Sequence, residues 1–121
     1  NMNRALQLAS EEMNVVIPEF TVAGVPHEKF FAHHWYVASD DKIDKEALIK
    51  RIEQKLKELN DDYAVERKSA LKDVRLDVLP EHSFMEFMRL KGKIGGQHKF
   101  PRVLKGKMLE DWHKFIATGT L

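Results

Sequence analysis

Residues 30–38, FFAHHWYVA, decide the fold. Successive side chains of a strand point to opposite faces, yet aromatic and apolar residues here occupy both. That pattern belongs to a strand covered on both sides. Upstream lies VVIPEFTVAG, rich in β-branched and aromatic residues, which reads as a partner strand near Val15–Ala23. Pro18 cannot donate to a ladder and marks an edge position or a bulge. Gly24 to Lys29 reads as the turn between the two strands. Further upstream, Met2, Ala5, Leu6, Ala9 and Met13 fall on one face of an amphipathic helix that Asn1 or Asn3 caps.

Downstream, Asp44 to Leu59 gives the clearest helix, with Leu48, Ile49, Ile52, Leu56 and Leu59 as its apolar stripe. Asp44 suits the N-cap, and Ile43 with Leu48 fits a hydrophobic staple. Asn60 suits the left-handed position that ends a helix. A short helical piece then starts at Asp61 or Asp62 and runs through Tyr63 and Arg67. Val74–Leu79 alternates and reads as a third strand, stopped by Pro80. Ser83 and Glu86 form a capping box for a helix carrying Phe84, Phe87, Met88 and Leu90. Met108, Leu109, Trp112, Phe115 and Ile116 give the last amphipathic helix.

The order α, β, β, α, β, α, α implies an α+β fold, with helices packed on a mainly antiparallel sheet of three to four strands. One more strand before the first helix would complete a split βαβ arrangement. Its absence, with Asn1 rather than a start methionine at the first position, points to a chain that begins inside a larger protein.

At 121 residues the chain is expected to form one domain, 1–121. A hydrophobic content of 43% and a charged content of 32% suit a soluble globular fold. The net charge of +1 provides no global field for nucleic acid, so any cationic function must be local. There is no cysteine, which excludes disulfides, thiolate catalysis and Cys-ligated zinc and fits a cytoplasmic location. No apolar run approaches the ~20 residues of a membrane span.

The local exception in charge is Lys91–Lys107, KGKIGGQHKFPRVLKGK, with six Lys/Arg and no acidic residue between Glu86 and Glu110. One reading is a solvated connection between two helices. The other is an anion site in which Gly95 and Gly96 let the backbone approach a ligand while Lys99 and Arg102 supply charge. The spacing is not that of a Walker A loop, and no Ser or Thr follows Lys99. His33 and His34 are adjacent in a strand, point to opposite faces and cannot easily share a metal, so each reads as an ordinary hydrogen-bonded histidine. No metal site is expected. Asn60, Tyr63 and Arg67 read as a helix-to-helix junction. Trp35, Tyr36, Phe84, Phe87 and Trp112 read as core rather than a base-stacking platform.

Three stretches carry a family resemblance: LNDDYAVER (Leu59–Arg67), VRLDVLPEHSFMEFM (Val74–Met88) and GGQHKFPR (Gly95–Arg102). Leu-Asn-x-x-Tyr with an arginine four residues on, then a strand leading to a Phe-containing helix, then Gln-x-Lys-x-Pro-Arg, resembles the C-terminal domain of the auxin-responsive promoter family of acyl acid–amido synthetases. HHWYVA is similar to the strand after that family's hairpin turn. His98 stands where the plant pattern has an aromatic residue, Gly96 replaces a polar one, and the preceding region is shorter. These departures favour a bacterial-type relative.

The resemblance implies an adenylate-forming ligase. Mg-ATP and a carboxylic acid give an acyl-adenylate and pyrophosphate, and an amino acid amine then takes the acyl group. It also implies that a small, mobile C-terminal domain works against a large N-terminal domain of the same polypeptide, and that Lys99 is the lysine delivered to the active site during adenylation. On this reading Gly95 and Gly96 shape the loop, Pro101 stiffens it, and Gln97 and Arg102 hold it or contact phosphate. Lys91, Lys93, Lys105 and Lys107 serve solubility. No ATP is expected on this chain by itself, which should be catalytically silent, and neither nucleic acid nor membrane is an expected partner. The alternative is a stand-alone α+β module that grips an anionic ligand or RNA through Lys91–Lys107.

Overall fold

The computed structural model describes residues 1–93 and 99–121. Helix α1 (Met2–Met13) leads into β1 (Glu19–His27) and β2 (Phe30–Ala38). Helices α2 (Lys45–Leu59) and α3 (Asp61–Ser69) precede β3 (Leu71–Leu79). Helix α4 (His82–Leu90), the two-residue β4 (Val103–Leu104) and α5 (Gly106–Thr118) complete the chain. The fold is α+β.

The sheet order is β3-β2-β1-β4. β1 and β2 pair antiparallel from Glu19↔Ala38 to His27↔Phe30. β2 pairs parallel with β3, and β1 pairs parallel with β4 through Val22↔Val103 and Ala23↔Leu104. The sheet is therefore mixed, not mainly antiparallel. The cause is the long connection formed by α2 and α3, which returns the chain to the end of the sheet where β2 began. Such a crossover is what parallel neighbours require.

Several local expectations shift. The partner strand begins at Glu19 rather than Val15, because the backbone before Pro18 is engaged elsewhere. Val15 donates to Ser10 O at 3.1 Å, and Val16 donates to Asp41 Oδ2 at 2.7 Å. The strand also runs on through Gly24 and Pro26, so the turn shrinks to Glu28 and Lys29. Proline is tolerated there because β4 accompanies only Val22 and Ala23, leaving that end of β1 as an edge. Asn60 is extended (φ −148°, ψ 108°) rather than left-handed. Its side chain accepts from Asp62 N at 3.0 Å and so starts α3. Asp44 caps α2 as expected, accepting from Ala47 N at 3.1 Å. The Ser83–Glu86 capping box does not form. α4 starts at His82, Ser83 N donates to Pro80 O, and the Glu86 carboxylate pairs with Arg89.

Alternation on the strands sorts the core into two clusters. On one face Phe20, Val22, Trp35, Val37, Leu71 and Leu76 pack against α1, α2 and Tyr63 of α3. Phe20 and Trp35 stack at 5.5 Å between centroids. On the other face Ala23, Tyr36 and Ala38 meet Phe84, Phe87 and Met88 of α4, Phe100, Leu104, and Trp112 and Phe115 of α5. The aromatic residues expected in the core are all buried.

Two outcomes follow from this layering. Trp35 is fully buried, so Trp35→Ala should cost about 3–5 kcal/mol, readable as a lowered urea midpoint. His33 sits on the α3 side, where burial lowers its pKa below 6.5 against the opposing pull of Glu66 and Glu53. Among the described residues its buried Nδ1 meets no partner. The unfolded chain therefore binds the proton more readily than the folded one. Stability is present in full above pH 6.5 and is lost as pH falls through the lower folded value. Substitution of His33→Gln should flatten this slope in denaturation curves taken between neutral and mildly acidic pH.

Candidate functional site

The basic segment leaves α4 through a glycine. Gly92 has φ +75°, Gly92 N donates to Arg89 O at 3.0 Å, and Lys93 N donates to Met88 O at 2.8 Å. This paired capping pattern satisfies two otherwise orphaned carbonyls. Gly95, Gly96 and Gln97 lie outside the described residues, as does His98.

The chain resumes at Lys99, which is exposed and makes no ion pair among the described residues. Phe100, the next residue, is only 6% exposed. Its ring lies 4.7 Å from Phe84, 5.3 Å from Trp112 and 5.9 Å from Phe87, measured between centroids. Pro101 O then accepts from the Thr21 hydroxyl at 2.8 Å, and Arg102 O accepts from Val22 N at 2.8 Å. Lys99 thus projects from the edge of a fixed patch of backbone.

Arg102 is engaged by the fold. Its guanidinium pairs with Glu19, donates to Phe20 O at 2.9 Å and lies 4.5 Å from the Phe20 ring centroid. These contacts are those of a residue that holds the segment, one of the two roles open to Arg102 in the sequence. Lys91 and Lys107 also have partners, converging from opposite ends of the segment on Asp111 of α5. These two lysines, Lys91 first, hold the Asp111 carboxyl below its usual pKa. Lys91, largely covered, ties the start of the segment to α5, whereas Lys107 remains mostly in solvent. The i,i+4 spacing of Lys107 and Asp111 was readable in the sequence. The roles of Glu19, Thr21 and Lys91 were not, because their partners are distant in the chain.

The remaining candidates resolve into structural contacts. His34 Nε2 lies 2.7 Å from Asp77 Oδ2, and its Nδ1 lies 3.3 Å from the Tyr36 hydroxyl. Both ring nitrogens lie within hydrogen-bond distance of a side chain, as an ordinary hydrogen-bonded histidine would. Burial raises the Asp77 carboxyl, but His34 and Lys45 together outweigh it and bring the pKa below its usual value. Tyr36 is pushed up to about 12 by burial and then by Asp77. The cleft beside this cluster, about 420 Å³, is lined by charges that largely pair with one another. Tyr63 and Arg67 meet on Glu53, at 3.0 and 2.7 Å, and Arg67 also donates to Leu71 O. Burial, then Glu53, raises the Tyr63 pKa. This is the expected junction, with Glu53 as a hub not foreseen from the sequence. No helix among the described residues is long and apolar enough to cross a membrane.

A family model described as the GH3 family C-terminal domain matches residues 1–107. The chain belongs to the GH3 family. Two solved structures are similar to this GH3 domain. One is a GH3.15 acyl acid amido synthetase, at a TM-score of 0.72 and 16% identity, covering 93% of this chain and 22% of that one. The other is AtGH3.15 acyl acid amido synthetase in complex with 2,4-DB, at a TM-score of 0.63 and 19% identity, covering 93% of this chain and 23% of that one. At such identities the likeness speaks for the fold. The GH3 domain spans less than a quarter of either chain. No curated protein matches it.

The two cations that flank Phe100 and Pro101 should separate in a stability measurement. Arg102→Ala removes a paired, stacked guanidinium and should lower unfolding free energy by about 1–2 kcal/mol. Lys99→Ala removes an exposed side chain and should stay within about 0.5 kcal/mol of the parent. Urea denaturation of the two variants reads both.

Proposed function

We propose that this GH3 chain is the mobile C-terminal domain of an ATP-dependent acyl acid–amido synthetase and that Lys99 is its catalytic residue. The observation that supports this most directly is the contrast among the basic residues. Lys91, Lys107 and Arg102 are engaged by Asp111 and Glu19. Lys93, Lys99 and Lys105 are exposed and make no ion pair among the described residues, and of these three Lys99 is the one inside the Gln-x-Lys-x-Pro-Arg motif, next to the buried Phe100.

In the first half-reaction a carboxylate oxygen of the acid attacks the α-phosphorus of ATP. The bond to the bridging oxygen breaks and pyrophosphate leaves. Negative charge gathers around the α-phosphate and the leaving oxygen. A positioned ammonium stabilises that arrangement more than it does bound substrate. In the second half-reaction an amino acid amine attacks the acyl carbon, AMP leaves with the electrons of the C–O bond, and the amine gives up a proton. The pockets for Mg-ATP and the acid belong to a larger N-terminal domain of the same polypeptide. The chain by itself is therefore inactive, and domain motion delivers and withdraws Lys99.

In the full-length protein Lys99→Ala should lower acid-dependent pyrophosphate exchange by at least about tenfold, with the melting temperature unchanged. Undiminished exchange would overturn the assignment. So would tight, steeply salt-dependent RNA binding by Lys91–Lys107, which would make the segment a nucleic-acid grip.

A further inference from the structure

Thr21 and Ser39 are the buried polar residues among the described positions, and Thr21 is fully buried. A hydroxyl in such a place needs a partner. Thr21 is the third residue of β1, where a valine would serve the strand equally well and fill nearly the same volume. What the hydroxyl adds is a bond to Pro101 O at 2.8 Å, with Arg102 O farther off at 3.4 Å.

This tie is not needed to attach β4. Val22 N already holds Arg102 O, β1 pairs with β4 at Val22 and Ala23, and the Arg102 side chain clamps Glu19 and Phe20. The hydroxyl acts one peptide upstream of these contacts, on the side toward Lys99. Phe100, Pro101 and Arg102 are thereby fixed by three different means: ring packing, a side-chain hydrogen bond and a backbone hydrogen bond. Proline also restricts its own φ and the conformation of Phe100 before it. Consecutive Cα atoms are about 3.8 Å apart. The Lys99 Cα is therefore one link from an anchored residue, and the direction of its side chain depends on how the next two peptides are held.

We infer that Thr21 is a positioning residue for Lys99. Its hydroxyl sets the orientation of the Phe100–Arg102 backbone and, through it, the place the Lys99 ammonium reaches. The inference rests on the reading of Lys99 as the adenylation lysine. A displacement of ~1 Å in a positioned group can cost ~100-fold in rate, so loss of the tie should act on turnover rather than on substrate binding.

The test uses the full-length protein and acid-dependent pyrophosphate exchange, with kcat and KM for acid and ATP measured separately. Thr21→Val should lower kcat about 5- to 100-fold and leave both KM values unchanged. Thr21→Ser keeps the donor and should stay within about twofold of the parent, even though loss of the methyl lowers its melting temperature. Thr21→Ala should give the same kcat loss and replaces Thr21→Val if that variant does not fold. In a Lys99→Ala background, Thr21→Val should cause almost no further loss, because both act through one group. If Lys99→Ala alone has no effect, the adenylation reading fails and this inference with it. If Lys99→Ala is slow but Thr21→Val matches the parent, only the positioning role is overturned. It is equally overturned if the two losses multiply in full, or if Thr21→Ser is as slow as Thr21→Val.

Discussion

The structure depends on a strand that is buried twice. Trp35 and Tyr36 are neighbours in the chain, yet one stacks on Phe20 under α1 and α2 while the other meets Trp112 under α5. Strand alternation sends adjacent side chains to opposite faces, so two cores grow from one nine-residue segment. Neither helical layer can be removed without exposing aromatic surface on β2.

How much of this was legible depended on how local the cause was. The bounds of β2 and the Asp44 cap of α2 follow from patterns within a few residues and appeared as expected. The parallel pairing of β2 and β3 was also implied in the sequence, since a long helix stood between them. It was missed because periodicity identifies elements, not their directions. β4 was missed because two residues have no period. Asn60 and the Ser83–Glu86 pair were misassigned for a related reason. Each has the right residue types for a cap, but the chain reaches its next hydrogen bond sooner, through Asp62 in one case and Pro80 in the other.

The candidate site divides along the same line. The motif Gln-x-Lys-x-Pro-Arg drew attention to one stretch and to Lys99 within it. It could not tell a cation aimed outward from one turned back on the fold. Arg102 is of the second kind, since Glu19 and the Phe20 ring occupy it. Charge density suggested six similar residues, whereas the structure gives at least three of them carboxylate partners. The three-dimensional partners, Asp111 and Glu19, separate Lys91, Arg102 and Lys107 from Lys93, Lys99 and Lys105, which make no ion pair among the described residues.

The span of the Thr21–Pro101 contact has a consequence for how the molecule assembles. Hairpin β1–β2 closes through a two-residue turn, whereas Thr21 and Pro101 are 80 residues apart. Closing a long loop costs more entropy than closing a short one, and that cost comes before any contact rewards it. Contact order alone therefore favours closure of the β1–β2 hairpin ahead of the Thr21–Pro101 contact. A contact made late is also one that can open without dissolving what came before.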